Sequence, residues 1–376
     1  MNQDPKKEGL NTRYFPALTG YRAIAAYMVF FCHVHLAPGT VPPFLAHLLA
    51  EGQVGVTFFF VLSGFLIYSR YKESCRFDRQ WWKGYMLNRF ARIYPLFALV
   101  TIITLIDRGE NVGIWVLNLT LMRGFSYDFF SSGVLQAWTL TVEECFYISA
   151  PFLFVLMGRL PRPWLVLPLS YAIAIALLLI GETISFKGFF EGWKFVLGCT
   201  FFGRIFEFFV GMMLARFIMM RAGRPLPSWR GLITWGSAAV AFLTIAAMST
   251  MQPAVYKALS QTPPSLLLNF FVLPLAATGI LLGLISERTW LQRFLGSAPM
   301  VLLGKASYAF YLIHLGVIAN AVHALVGNDI LQFIALNILS IALFLLFEEP
   351  VNHGIRSWAR SGRKRAEGSE PAPAAR

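Results

Sequence analysis

The chain has 376 residues, 57% of them hydrophobic and 14% charged, with 32 Lys and Arg against 19 Asp and Glu. Soluble domains lie near about 45–50% apolar and about 25% charged, which excludes a water-soluble globule. The formal charge of +13 comes without a basic recognition helix or zinc-finger spacing, so it argues for membrane topology rather than nucleic acid.

Apolar runs of about 17 to 25 residues recur along the chain, each long enough to cross a hydrocarbon core of roughly 30 Å as a helix. Residues 1–16 are a polar N-terminal tail with no small-residue cleavage site, so the first apolar segment reads as a retained signal anchor. Ten spans are predicted, at 17–36, 52–69, 91–107, 138–157, 164–181, 202–220, 231–250, 266–286, 300–323 and 330–349. "IWVLNLTLM" (114–122) and "FKGFFEGWKFVLGCTFF" (186–202) read as interfacial or re-entrant pieces. The predicted class is therefore an all-α integral membrane protein with one membrane domain, 17–350. Residues 351–376 form a basic, then Pro/Ala-rich tail too polar to build a core, predicted to be disordered. Of the Lys and Arg residues, 24 fall on one side of this layout and 5 on the other, which puts both termini in the cytoplasm.

In chain order, the first residues that carry chemistry are Arg22 and His33 in "TGYRAIAAYMVFFCHVH". On a continuous helix, eleven residues advance three turns plus roughly 20° and about 16 Å, so the two share one stripe. Each alone has a bland reading, a snorkelling anchor for Arg22 and a bonded interfacial ring for His33. His35 points away from His33, so H-x-H is poor metal geometry, and Cys32 is turned about 100° from its neighbour. The four cysteines, Cys32, Cys75, Cys145 and Cys199, suggest neither a disulfide framework nor a zinc site.

Ser63 and Gly64 lie mid-span in "GVTFFFVLSGFLIYSRY", either for close helix packing or as a narrow place where a ligand passes. Arg89 and Arg92 of "RFARIYPLF" sit at i, i+3 on one face at the cytoplasmic edge, a spacing suited to phosphate and equally to anchoring. Tyr94 and Pro95 are expected to turn the chain into the third span. Glu143 and Glu144 of "WTLTVEECFYISAP" enter from outside, Glu143 at a depth similar to His33, where a carboxylate would raise and orient an imidazole base; structural pairing with other helices is the bland reading. Tyr308, Tyr311 and His314 share the span "KASYAFYLIHLGV", with His314 either binding substrate or bonding a neighbouring helix. Glu348 and Glu349 close the last span, expected to pair with nearby arginines.

Taken in order, "ALTGYRAIAAYMVFFCHVH", "GVTFFFVLSGFLI", "RFARIYPLF", "WTLTVEECFY", "ASYAFYLIH" and "FEEP" resemble the acyltransferase-3 family of integral-membrane O-acyltransferases, over nearly the whole chain. The resemblance implies transfer of acetyl or another short acyl group from cytoplasmic acyl-CoA to a sugar hydroxyl of an envelope or exported glycan, in the bacterial inner membrane. It implies Arg22 and His33 as the essential pair, His33 as base, Arg89 and Arg92 at the CoA phosphates, and Glu143 as the motif glutamate; Ser63, Tyr308 and His314 are the substrate-side candidates. Acyl-CoA is then a co-substrate, no metal is expected, and the partners are membrane lipid and a glycan or glycolipid. Many relatives carry a C-terminal SGNH-type domain; here a stand-alone form is expected, leaving any step that needs that domain to a separate periplasmic protein. A transporter or glycolipid flippase using Arg22, His33 and Glu143 as a path is the competing class.

Overall fold

The computed structural model describes residues 14–34, 41–221, 224–251 and 262–367; His35 and Lys257 lie outside them. Among the described residues there is no strand, only an isolated bridge between Ser126 and Phe189. The principal helices are α1 (Pro16–Phe31), α2 (Gly55–Tyr71), α3 (Arg79–Arg108), α4 (Trp138–Arg159), α5 (Val166–Ile184), α6 (Phe201–Met220), α7 (Leu232–Thr250), α8 (Leu273–Ser286), α9 (Ala298–Ile313), α10 (Val317–Val326), α11 (Asp329–Leu343) and α12 (Glu349–Glu367). The protein is an all-α integral membrane protein. Eight helices among the described residues are long and apolar enough to cross a bilayer, or nine when the bent pair α9 and α10 counts as one crossing.

Burial separates a central group from a lipid-facing one. The apolar stretch of the segment carrying α6 is 78% buried, against 22% for those carrying α5 and α11. At only 16 residues α1 is short for a crossing, yet nine of them are buried, so protein rather than lipid covers much of its backbone. Close helix approach makes this centre. A Cβ on Gly64 would stand 2.1 Å from the Phe208 carbonyl of α6, and one on Gly211 2.0 Å from the Val61 carbonyl of α2. Gly304 likewise brings α9 onto the Thr19 carbonyl of α1. Small residues let membrane helices pack on van der Waals contact where lipid supplies no hydrophobic drive. Gly64 thus serves packing, the first of the two readings of that stretch.

Three local departures from the predicted spans matter for the site. Helix α1 ends at Phe31, so His33 sits in the turn just beyond it, its N–H on the Phe30 carbonyl at 2.9 Å. The stripe shared with Arg22 therefore holds only up to the helix end. Second, α3 runs unbroken for 30 residues from the Asp78 cap through Pro95 to Gly109 (φ 62°). No turn forms at Tyr94 and Pro95, because neighbouring helices can satisfy the backbone groups a proline frees. Third, the predicted span 300–323 breaks: α9 and α10 meet at 99° across Gly316 (φ 91°), which makes His314 the C-cap of α9 rather than a mid-span residue.

The last span runs through a π-turn at Phe344–Glu348 into α12, helical to Glu367. Residues 351–367 were predicted to be disordered; contact between α12 and α3 holds the first turns of this basic segment. At the same end, α7 starts on Gly231 without a cap of its own. Glu287, after α8, takes that role, accepting from Trp229 N–H, Ile233 N–H, Thr234 N–H and the Thr234 hydroxyl at 2.7 to 3.3 Å.

Candidate active site

At one end of the bundle α3 carries Arg89, 8% exposed. Its Nη2 donates to the Tyr71 hydroxyl at 3.0 Å, and its guanidinium lies 5.3 Å from the Tyr71 ring and 5.7 Å from the Tyr147 ring. Its Nε is buried without a partner. Arg92, one turn on, is half-buried. A third arginine joins them from the C-terminal segment: Arg356 of α12 reaches the Asn88 carbonyl at 3.5 Å and lies within electrostatic range of Arg89, Arg70 and Arg92. Among the described residues none of these arginines is in an ion pair within 4.0 Å; the pairs at that distance are Arg204–Glu207 and His323–Asp329. Glu348 lies within electrostatic range of Arg92 and Glu144 of Arg89, but with no described carboxylate in ion-pair contact the convergence of guanidiniums suits an anion with several oxygens.

Deeper in, a space of about 420 Å³, counting the part open to solvent, is lined by Arg22, Thr139, Glu143, Ser307, Tyr308 and Tyr311 among apolar side chains. Glu143 accepts from the Ser63 hydroxyl at 2.8 Å, and Arg22 lies within electrostatic range of Glu143, Arg92 and Glu348. Ser63 is thereby occupied with the carboxylate, and Tyr308 donates its hydroxyl to the Ile93 carbonyl at 2.7 Å. The Tyr311 hydroxyl is 3.0 Å from that of Thr139.

A second space of about 1000 Å³, counting its open mouth, lies beyond and shares Val56 and Tyr311 with the first. His33 lines it. His33 Nδ1 is 2.8 Å from the Val29 carbonyl; a carbonyl only accepts, so in the neutral ring Nδ1 carries the hydrogen and Nε2 keeps its lone pair. A backbone carbonyl thus fixes the tautomer a general base needs. Glu143, the carboxylate expected beside it, accepts instead from Ser63. Glu143 belongs to the inner cavity with Ser63 and Arg22, because His33 lies past the end of α1 while Glu143 is one turn inside α4. His314, 3% exposed, repeats the arrangement: its Nδ1 meets the Tyr311 carbonyl at 2.7 Å, its Nε2 has no partner, and its ring centre is 5.4 Å from that of His33.

Two groups of this region were not singled out in the sequence. Arg204 and Glu207 of α6, 5% and 1% exposed, form a bidentate pair at 2.7 Å that also engages the Thr57 hydroxyl, with Arg204 at the wall of the outer space. Their i, i+3 spacing inside an apolar run was the available signal. Gln136, in the short turn Leu135–Ala137 before α4, was an uncharged residue outside every span and gave none. Among the described residues no group of three His, Cys, Asp or Glu side chains is placed to hold a metal.

A family model described as an acyltransferase domain matches residues 15–349. The chain is similar to the acyltransferase MdmB of Streptomyces mycarofaciens, 29% identical over 84% of this chain and 81% of that one. It is similar to the exopolysaccharide production protein ExoZ of Rhizobium meliloti, 27% identical over 81% and 91%. It also resembles the O-acetyltransferase OatA of Staphylococcus aureus, 22% identical over 81% of this chain and 51% of the longer relative. No solved structure matches it.

Proposed function

The chain belongs to the acyltransferase-3 family and is a multi-pass membrane acyltransferase, and from that premise we propose that it moves acetyl, or another short acyl group, from cytoplasmic acyl-CoA to a sugar hydroxyl of an envelope or exported glycan. The observation that carries the reading is the order of the groups: Arg22 of the inner cavity lies within electrostatic range of Arg92, and Val56 and Tyr311 line both that cavity and the outer space, where His33 is tautomerically fixed. The 24 to 5 split of loop charges supports the arginine cluster facing the cytoplasm, both termini on that side, and residence in the bacterial inner membrane.

On this reading the CoA phosphates rest on Arg89, Arg92 and Arg356, and the acyl-bearing arm extends past Arg22. The acceptor hydroxyl enters from the outer space. Its oxygen attacks the thioester carbonyl as His33 Nε2 takes its proton; the C–S bond then breaks, and the CoA thiolate leaves with the proton returned from the imidazolium. Arg22 and the Ser63-bonded Glu143, both in the wall of the inner cavity, would face the acyl-bearing arm rather than the acceptor. General-base catalysis of this kind contributes about 10²- to 10⁴-fold.

The test is transfer of label from radiolabelled acetyl-CoA to base-labile ester in the glycan fraction of membranes carrying the protein. His33→Ala, confirmed folded by its elution in detergent, is expected to lose at least about 100-fold in rate. A folded His33→Ala at the wild-type rate would refute the base, and wild-type protein that moves glycolipid without esterifying it would refute the reaction in favour of transport.

A further inference from the structure

Gln136 is 4% exposed and lies in the wall of the outer space together with His33 and Tyr311. Its Nε2 donates to the carbonyls of Tyr311 at 3.1 Å and Leu312 at 2.8 Å. The assignment of the amide follows from chemistry: two carbonyls can face only the NH₂ end, since the oxygen would oppose them lone pair to lone pair. Both hydrogens are therefore spent on the last turn of α9, and Oε1 is left buried with no partner. The Tyr311 carbonyl also holds His314 Nδ1, so Gln136 and His314 flank one peptide, and each leaves a buried acceptor atom unsatisfied.

A buried polar atom without a partner costs free energy, and one that persists in a cavity wall calls for a ligand that satisfies it. Of the two, only Gln136 belongs to the wall of the outer space, and its Oε1 is an acceptor, so an anion would be repelled and a donor is what it wants. The lining of the space contains no Asp or Glu to take that donor first.

We propose that Gln136 binds the acyl acceptor, Oε1 taking a hydrogen bond from one hydroxyl of a polyhydroxylated substrate while His33 takes the proton from the hydroxyl being acylated. This rests on the reading of the outer space as the acceptor side. Gln136 then fixes which hydroxyl meets the thioester, and its NH₂ end, anchored on α9, holds the Oε1 in place.

The two ends of the amide can be tested apart. Gln136→Lys keeps donors for the two carbonyls and loses the acceptor; Gln136→Met keeps neither. Each full-length variant is measured in membranes with radiolabelled acetyl-CoA as the probe, with base-labile glycan label expressed per mole of folded protein. The labelling rate is expected to fall about tenfold or more in Gln136→Lys and Gln136→Met. The acetyl-CoA concentration for half-maximal rate should not move, and the thermal midpoint should rank Gln136→Lys above Gln136→Met. A purely structural glutamine predicts rates that follow the midpoints instead. Folded Gln136→Lys or folded Gln136→Met labelling like wild type would overturn the proposal. Absence of label with wild-type protein would instead overturn the acyl-transfer reading itself.

Discussion

Removing one member of the Arg204–Glu207 pair should destabilise the protein far more than removing both. Glu207 is 1% exposed, and two of its bonds come from the Arg204 guanidinium, the rest from the Thr57 hydroxyl at 2.8 Å. The guanidinium also lies 5.4 Å and 4.9 Å from the Phe60 and Phe270 ring centres. In Arg204→Met the carboxylate stays in place with a single hydroxyl donor, and breaking a buried pair in this way costs about 3–5 kcal/mol. At roughly 2.1 cal/mol/K per residue of unfolding entropy, 376 residues convert that into a drop of at least about 4 °C in the thermal midpoint. Glu207→Leu should behave alike, leaving a guanidinium between two aromatic rings. The double variant removes both charges, and Thr57 keeps the Asn269 side chain 3.1 Å from its hydroxyl. It should recover to within about 1–2 kcal/mol of wild type, since a well-packed apolar replacement of a buried pair is often neutral. The readout is the midpoint of heat-induced loss of the monodisperse peak in detergent for the four proteins of the cycle. Single variants as stable as wild type, or a double variant worse than either, would refute the account of this pair as mutually compensating buried charges.

Arg356→Ala should raise the acetyl-CoA concentration needed for half-maximal transfer about tenfold, as loss of one charge-assisted contact to phosphate would, with the acceptor dependence unmoved; an unchanged donor dependence would take α12 out of the donor site. Glu287→Gln should lower the thermal midpoint at neutral pH, because α7 has no other side-chain cap. Burial pushes the Glu287 carboxyl up, yet its bonds from Thr234, Trp229 and Ile233 outweigh that and hold it below the ordinary range. A depressed native value means the carboxylate stabilises fully above the unfolded value of about 4.3 and ceases to as pH falls through the native one. The gap between wild type and Glu287→Gln should therefore close on acidification below about pH 4, and a gap constant down to pH 3 would contradict the assignment.

Hydrophobicity and loop charge were enough to read the class and the positions of most spans, because in a bilayer each helix must satisfy its own backbone and carries its own apolar length. The motifs named the family for the same local reason: Arg22, His33, Arg89, Arg92 and Glu143 stand out wherever an ionisable residue interrupts an apolar run. Helix ends were less legible. Residues around His33 and His314 are as apolar as their helices, yet α1 stops at Phe31 and α9 at Ile313, the latter shortly before Gly316 with its positive φ.

The sequence by itself thus determined a polytopic acyltransferase and most of its ionisable set. Tertiary structure decided how the set is divided. Glu143 went to Arg22 and Ser63, the Val29 carbonyl met His33 Nδ1, Arg356 joined the arginines of α3 from the far end of the chain, and Gln136 entered the wall beside His33. These pairings join residues up to 268 positions apart, and no periodicity in one helix records which face of another it will meet; that is fixed only when close glycine contacts set the distance and rotation between helices.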